Sequence, residues 1–252
     1  MNKKNIKKYM ILFFITVAFC MNIDSNIKAS ESVAARENSA KIFKLSLDYY
    51  EKDKMKIADG WSNGGMFNCA WDKNNVTFND KGNMELSINK NINGKYTGAE
   101  YRSNRIFGYG YYKIKMKPIK NDGVVSSFFM YTGPSNGTQW DEIDIEFLGK
   151  NTNIVQFNYY TNGVGHHEFI YDLGYDASEG FHTYAFEWLK DSISWYVDGI
   201  KVHTATENIP STPGQIMMNV WTGTGVDAWL NPYDGKIPLK AEYSWMYYYS
   251  LD

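Results

Sequence analysis

The sequence carries almost no net charge. Its 26 Lys and Arg residues nearly balance its 28 Asp and Glu residues, which leaves a formal charge of -2, and no long basic run follows the N-terminal segment. A protein with this balance has no electrostatic reason to bind nucleic acid or an acidic membrane surface. We therefore expect a neutral ligand and no nucleic-acid partner.

Long apolar runs are missing except near the N-terminus. Four lysines within the first eight residues precede an apolar run over residues 10–21, and polar residues and Ala29 follow it. This pattern predicts a secretory signal peptide over residues 1–29, since the run is too short for a typical membrane span. We expect a secreted protein that is not held at the membrane after cleavage.

Cysteine is also scarce, with two residues in the chain. Cys20 lies in the signal segment and would be removed with it. A lipid anchor at Cys20 is the alternative, but Phe19 occupies a position where a lipoprotein signal needs a small residue. The mature chain would keep only Cys69, so no intrachain disulfide could form. Cys69 lies in the aromatic-rich segment Met66–Trp71, which predicts a strand and a buried, free thiol.

Helical periodicity, internal repeats and low-complexity tracts are absent. Residues 30–43 are polar without a strand pattern and predict a short tether, whereas residues 44–252 predict one all-β domain. Alternating segments end at Asn162-Gly163 and at Asp198-Gly199, which favour hairpin turns because both residues tolerate positive φ. The predicted fold is an antiparallel β-sandwich of jelly-roll, concanavalin A-like type with a concave cleft.

The segment Trp140–Leu148 is the most informative in the chain. Three carboxylates, Glu142, Asp144 and Glu146, alternate with large apolar residues at a period of two. On a strand the carboxylates share one face, whereas a helix would place Asp144 on the far side. A solvated edge strand could also carry acidic residues, but three adjacent like charges on one face raise each other's pKa, which favours a functional site.

The spacing of the two glutamates fits glycoside chemistry. Their Cα atoms lie roughly 13 Å apart on a strand, and two side chains leaning together would bring the carboxyl groups to about 5 to 6 Å. A retaining glycosidase separates its two carboxyl groups by about 5 to 5.5 Å, and an inverting one by more. The residues alone do not say which glutamate is the nucleophile.

Other strands place polar and aromatic side chains opposite the apolar ones. The face with Asn158 and Tyr160 opposes the one with Phe157, and the face with Asn219 and Trp221 opposes the one with Met218. Aromatic residues make up 17% of the chain, and they fill β-cores as well as stack on sugar rings. The pattern predicts a sugar-binding sheet.

The chain resembles glycoside hydrolase family 16, and within it the bacterial licheninases, from about Ser46 to Tyr249. Besides the carboxylate strand, the matching segments occur in the same order along the chain: Ser62–Gly65, Ala99–Ser103, Val124–Phe129, Tyr131–Pro134, Gln156–Gly163 and Ile216–Trp221.

The resemblance implies a role for each carboxylate. Glu142 would be the nucleophile, Glu146 the acid/base, and Asp144 would hydrogen-bond between them. We expect Glu146 to be protonated in the free enzyme near neutrality and Glu142 to be ionised. The resemblance also implies substrate-positioning roles for Trp61, Asn63, Glu100, Arg102, Phe129, Tyr131, Trp140, Asn158, Tyr160, Asn219 and Trp221. Trp61 replaces the tyrosine common at its position.

The unbroken Glu-x-Asp-x-Glu strand is typical of licheninases and xyloglucan-active relatives, whereas laminarinases usually insert a residue. The expected activity is therefore endo-hydrolysis, with retention, of β-1,4 bonds that follow β-1,3-linked glucose in mixed-linkage β-glucan. The alternatives are a related β-glucanase or transglycosylase of the same family, a non-catalytic glucan-binding module, or a structural wall protein. We expect a monomer that needs no cofactor.

A weak structural calcium site is also implied by the resemblance. The carbonyl positions match Ser46 and Gly82, but Ser244 stands where the family has an aspartate, and losing that carboxylate weakens a site for a hard cation. His166-His167-Glu168 lies in a hairpin loop without a further ligand at suitable spacing, so we predict no metal centre there. Related licheninases often pair the position of Cys69 with a second cysteine, where this chain has Gly98.

Overall fold

The computed structural model describes residues 42–251 and is almost entirely β-structure. Its helical segments are one short α-helix, α1 (Asp227–Leu230), and 3-10 turns at Lys73–Asn75 and Pro134–Asn136. The described residues form sixteen strands: β1 (Ile42–Leu45), β2 (Met55–Ile57), β3 (Ala70–Trp71), β4 (Val76–Phe78), β5 (Met84–Lys90), β6 (Tyr96–Phe107), β7 (Gly110–Lys117), β8 (Val124–Thr132), β9 (Asp141–Leu148), β10 (Ile154–Tyr160), β11 (Phe169–Asp172), β12 (His182–Leu189), β13 (Ser192–Val197), β14 (Ile200–Ala205), β15 (Gly214–Thr222) and β16 (Leu239–Ser250).

The strands form two layers that are continuous through one strand pair. The first layer has the order β11-β10-β9-β8-β15-β6, and the second has β5-β16-β7-β12-β13-β14, with β5 and β6 joined to each other. Short strands extend the edges, since β1 pairs with β16, β2 and β3 with β6, and β4 with β5. The predicted all-β jelly-roll fold is confirmed.

Hydrogen bonds that cross between the layers show that they pack face to face. The hydroxyl of Tyr243, on β16, donates to the carbonyl of Ser127 at 3.1 Å, and the indole of Trp195, on β13, donates to the carbonyl of Asp144 at 3.1 Å. Both donors are buried, and a buried aromatic N–H or O–H needs such a partner. The main core lies between these faces, so the opposite face of the first layer is left for ligands.

Both predicted hairpin turns are present. Asp198 and Gly199 have φ of 47° and 83° between β13 and β14, which is the left-handed geometry of a two-residue hairpin. Asn162 and Gly163 have φ of 52° and 77°, and the turn is closed by paired hydrogen bonds between Thr161 and Val164.

The structure differs from the sequence prediction at three places. Strand β1 begins at Ile42, two residues inside the predicted tether, because Ile42 and Phe43 pair with Tyr249 and Tyr248. The strand expected around Cys69 is limited to Ala70–Trp71. That strand pairs with β6 in parallel, so the sheet is not wholly antiparallel.

Cys69 is buried and forms no disulfide, as predicted. Burial raises the pKa of its thiol to about 11. The predicted signal peptide, most of the tether and Cys20 lie outside the described residues. Within residues 42–251, no helix has the length and apolar character needed to cross a membrane.

Candidate active site

Strand β9 divides its side chains between the core and the opposite face of the first layer, which we call the cleft face. Ile143, Ile145 and Phe147 are fully buried in the main core. The alternate residues Glu142, Asp144 and Glu146 lie on the cleft face, Asp144 buried and the two glutamates half-buried. The predicted division of the strand is confirmed.

Strand β9 pairs with β8 and β10 without a register shift across the carboxylates. Each carboxylate therefore lies in a row between one residue of β8 and one of β10, with neighbouring strands about 4.8 Å apart. The rows are Tyr131, Glu142 and Tyr160; Phe129, Asp144 and Asn158; and Ser127, Glu146 and Gln156. The predicted binding residues on these strands are brought together around the acidic group.

A hydrogen-bonded network continues the third row across β15 and β6. Ser127 Oγ donates to Asn219 Oδ1 at 2.6 Å, and Asn219 lies opposite Glu100. Glu100 is 1% exposed and forms an ion pair with Arg102. Burial raises the pKa of Glu100, and Arg102 counteracts this. Fixed polar groups of this kind suit recognition of sugar hydroxyls.

Aromatic side chains flank the carboxylates on both sides. Near Glu142, the rings of Trp140 and Tyr160 are stacked with centroids 4.5 Å apart. Beyond Glu146, the ring of Trp221 packs on the ring of Phe67, with centroids 4.2 Å apart, and on the ring of Trp229, with centroids 6.0 Å apart. Trp140 is 36% exposed and can stack on the apolar face of a sugar ring, whereas Trp221 is 4% exposed within a second buried cluster.

The loop before β3 adds the remaining predicted residues. The guanidinium of Arg102 lies 4.9 Å from the ring centroid of Trp61, which is within cation–π range. Asn63 Oδ1 accepts a hydrogen bond of 2.9 Å from the indole of Trp71. Trp61 and Asn63 are exposed, so both are accessible to a ligand.

The three carboxyl groups hold protons more tightly than ordinary side chains. Burial raises the pKa of Glu142 to about 8, with the charges of Glu146 and Glu100 adding to it. Burial also raises the pKa of Glu146 to about 7. The pKa of Asp144 lies well above its usual value because of burial and the charges of both glutamates.

The expected distribution of protons, with Glu142 ionised near neutrality and Glu146 protonated, stays a prediction. Burial raises the pKa of both glutamates, and the charges of Glu146 and Glu100 raise that of Glu142 further. Protons are therefore shared by the group. The side chain of Asp144 hydrogen-bonds to Glu142, which raises the pKa of Asp144 and lowers that of Glu142. The indole of Trp140 donates to Glu142 Oε2 at 2.6 Å, so the hydrogen bonds from Trp140 and Asp144 both oppose the rise in the pKa of Glu142 that burial causes.

The donor set near Ser244 fits calcium poorly. A shallow depression is lined by Lys44, Ser46, Ser244 and their neighbours. Lys44 contributes a positive charge there, and its Nζ lies 5.0 Å from the ring centroid of Tyr247. Calcium prefers several oxygen ligands that include carboxylates. Among residues 42–251, no cluster of three His, Cys, Asp or Glu side chains is arranged to hold a metal ion.

The histidines of the hairpin loop have other contacts. The His167 ring stacks on Tyr159 with centroids 3.9 Å apart, and its Nδ1 lies 2.9 Å from the Tyr159 carbonyl oxygen. His166 is an exposed residue with φ of 69°.

Comparison with known proteins identifies this arrangement. The family model of glycosyl hydrolases family 16 matches residues 63–247. The chain belongs to glycosyl hydrolases family 16. Among curated family 16 relatives, a β-glucanase of Paenibacillus macerans is 59% identical over 87% of this chain and 92% of its own length. A β-glucanase of Bacillus subtilis is 58% identical over 79% of this chain and 82% of its own length.

Solved structures of the family superpose closely. The Bacillus licheniformis β-glucanase has a TM-score of 0.82 and 54% identity, covering 85% of this chain and 100% of that one. A β-1,3-1,4-glucanase (lichenase) derived from a mouse hindgut metagenome has a TM-score of 0.81 and 54% identity, covering 83% of this chain and 99% of that one. The protein is thus a glycoside hydrolase with the family 16 fold.

Sequence reasoning omitted three residues of this family 16 site. Ser127 supports Asn219, and Gln156 Nε2 donates to Glu146 Oε2 at 2.8 Å. Strand alternation places both on the polar face, with Phe129 and with Asn158, but it assigned neither of them a role. Trp229, whose indole donates to Gln156 Oε1 at 3.2 Å, lies on α1, and no sequence pattern pointed to it.

Proposed function

We propose that the protein is a secreted endo-β-1,3-1,4-glucanase that cleaves β-1,4 bonds following β-1,3-linked glucose, with retention of configuration. The observation that carries the proposal is β9, which holds Glu142, Asp144 and Glu146 side by side and pairs on both edges without a bulge. The similarity to a named β-1,3-1,4-glucanase supports the choice of mixed-linkage glucan.

Retention requires a nucleophile and an acid/base. Glu142 is the nucleophile in this proposal, because Asp144 and Trp140 both hydrogen-bond to it and favour its carboxylate. Glu146 protonates the leaving oxygen and then accepts a proton from the attacking water. Its raised pKa, about 7, suits a group that must both donate and accept a proton near neutrality.

Substrate would lie across the strands of the cleft face. Trp140 and Tyr160 offer stacking surfaces on one side, whereas Trp221, Asn219 and Glu100 are 4%, 4% and 1% exposed and leave only a small area for contact with a sugar. The protein acts alone on the polysaccharide, as a monomer without a required cofactor.

The proposal is tested first by product analysis. The protein is incubated with mixed-linkage glucan, laminarin and carboxymethyl cellulose. We expect hydrolysis of mixed-linkage glucan to oligosaccharides with a β-1,3-linked reducing-end glucose, with the β anomer formed first by NMR. A first-formed α anomer, or preferred hydrolysis of laminarin, would contradict it, and binding without hydrolysis would indicate a glucan-binding module.

Two variants then separate the roles of the glutamates. Glu142→Ala should abolish turnover of every substrate. Glu146→Ala should lose about 10² to 10⁴ in rate on glucan, but still react with an aryl glycoside whose leaving group needs no protonation, and added azide should then yield a β-glycosyl azide. A β-azide from Glu142→Ala instead would reverse the assignment.

A further inference from the structure

Trp229 is connected to Glu146 through one buried side chain. The indole Nε1 of Trp229 donates to Gln156 Oε1 at 3.2 Å, and Gln156 Nε2 donates to Glu146 Oε2 at 2.8 Å. Gln156 is 5% exposed and lies directly opposite Glu146 in the pairing of β9 and β10. Helix α1, which follows β15, thereby reaches a carboxylate on β9.

The chemistry of the indole fixes the direction of this chain. An indole N–H can only donate a hydrogen bond, whereas a glutamine amide offers an acceptor at one end and donors at the other. Trp229 therefore holds the amide oxygen of Gln156 toward itself, and the amino group must face Glu146. Without Trp229, the amide could rotate and present its oxygen to the carboxyl group.

We propose that Trp229 is a positioning residue that acts on Glu146 through Gln156, by holding the amide in the orientation that donates to the carboxylate. The inference rests on the proposed role of Glu146 as the acid/base. Glu146 becomes anionic when it gives its proton to the leaving oxygen, and a donor already aligned with Oε2 stabilises that anion. The same donor keeps the carboxylate in place for the water that enters next.

The surroundings of Glu146 make this donor important. Burial is the main cause that raises the pKa of Glu146, Gln156 lowers it, and the charge of Glu168 raises it. Four acidic groups from three elements interact with Glu146: Glu142 and Asp144 on β9, Tyr160 on β10, and Glu168 just before β11. Each of them disfavours the Glu146 anion when ionised, and Gln156 is the neighbour that opposes them.

The test replaces Trp229 by phenylalanine, which removes the N–H but retains an aromatic ring to pack on Trp221. The pKa of Glu146 is followed by NMR of ¹³C-labelled glutamate carboxyl groups in the free protein, with the signal assigned by its loss in Glu146→Gln. A hydrogen bond to a charged group is worth enough to shift a pKa by about one unit, so we expect Glu146 to titrate about one unit higher. The basic limb of kcat/KM on mixed-linkage glucan should move upward by a similar amount.

A second variant and a matched control accompany it. Gln156→Met removes the donor itself and should give the same upward shift, and the double variant should add little to either, because both act through one contact. Trp188→Phe is the control: its indole donates to the Pro210 carbonyl at 2.8 Å from β12 in the other layer. It should lower the melting temperature without moving the Glu146 titration.

The outcomes distinguish the inference from the proposed function. If Glu146 titrates as in the wild type in Trp229→Phe, the inference is wrong, whether or not Gln156→Met moves the titration. An increase in KM alone would make Trp229 only a substrate-stacking residue. If the titration moves but the pH-rate profile does not, the hydrogen-bonded chain is confirmed and the assignment of Glu146 as acid/base fails.

Discussion

Replacing Glu142 by glutamine should stabilise the protein at neutral pH and abolish its activity. The folded protein raises the pKa of Glu142 to about 8, mainly through burial, whereas an unfolded glutamate titrates near about 4.3. At low pH the carboxyl group is protonated in both states, and the folded state pays no penalty. As the pH rises from about 4 to about 8, the unfolded chain releases the proton first, so the wild-type free energy of unfolding falls.

The size of the effect follows from the difference in pKa. The shift from about 4.3 to about 8 is about 3.7 units and corresponds to about 5 kcal/mol above pH 8, at about 1.4 kcal/mol per unit. Glu142, Asp144 and Glu146 share protons, so protons can redistribute among them and reduce this destabilisation of the folded state. We expect a net destabilisation of the wild type of about 2 kcal/mol near neutrality. For a domain of this size that is roughly 4 to 8 °C in melting temperature. The glutamine oxygen can still accept from Trp140, so little packing is lost.

Thermal unfolding followed by circular dichroism from about pH 4 to about pH 8.5 measures the effect. The difference in melting temperature between Glu142→Gln and wild type should be near zero at the acidic end and grow with pH. Glu179→Gln, at an exposed position in the loop between β11 and β12, is the control and should show no such growth. A difference that is independent of pH, or a variant less stable than wild type at the basic end, would refute the reasoning.

Three further predictions concern the rest of the molecule. Cys69 is buried with its pKa raised to about 11, so a thiol reagent should modify it only after denaturation, and rapid reaction of the native protein would contradict this. Sub-millimolar calcium should raise the melting temperature very little, because a lysine and serines, Lys44, Ser46 and Ser244, line the depression. A rise of many degrees would reveal a tight site, and Ser244→Asp should increase the response. Mass spectrometry of the exported protein should find an N-terminus close to Ser30, whereas a diacylglycerol group on Cys20 would show a lipid anchor.

The sequence predicted the cleft face well because a strand has a fixed period. Once Trp140–Leu148 is taken as a strand, the pleat alone places Glu142, Asp144 and Glu146 on one side, and the same rule places Asn158 and Asn219 opposite the core. Hairpin chemistry located the turns at Asn162 and Asp198. The short strands were harder to predict from the sequence. Strand β1 pairs with β16 and β3 with β6, so both depend on partners far along the chain more than on their own residue patterns.

Protonation was the property that strand periodicity could not supply. Whether Glu142 or Glu146 holds the proton depends on how deeply each is buried and on which donors reach it, and these neighbours come from different distances along the chain. Trp140 is two residues from Glu142, and Gln156 is ten residues from Glu146. Trp229 is 73 residues from Gln156. A pattern over nine residues can therefore predict which carboxylates meet, but the donors that reach each carboxylate come from the folded sheet and from α1.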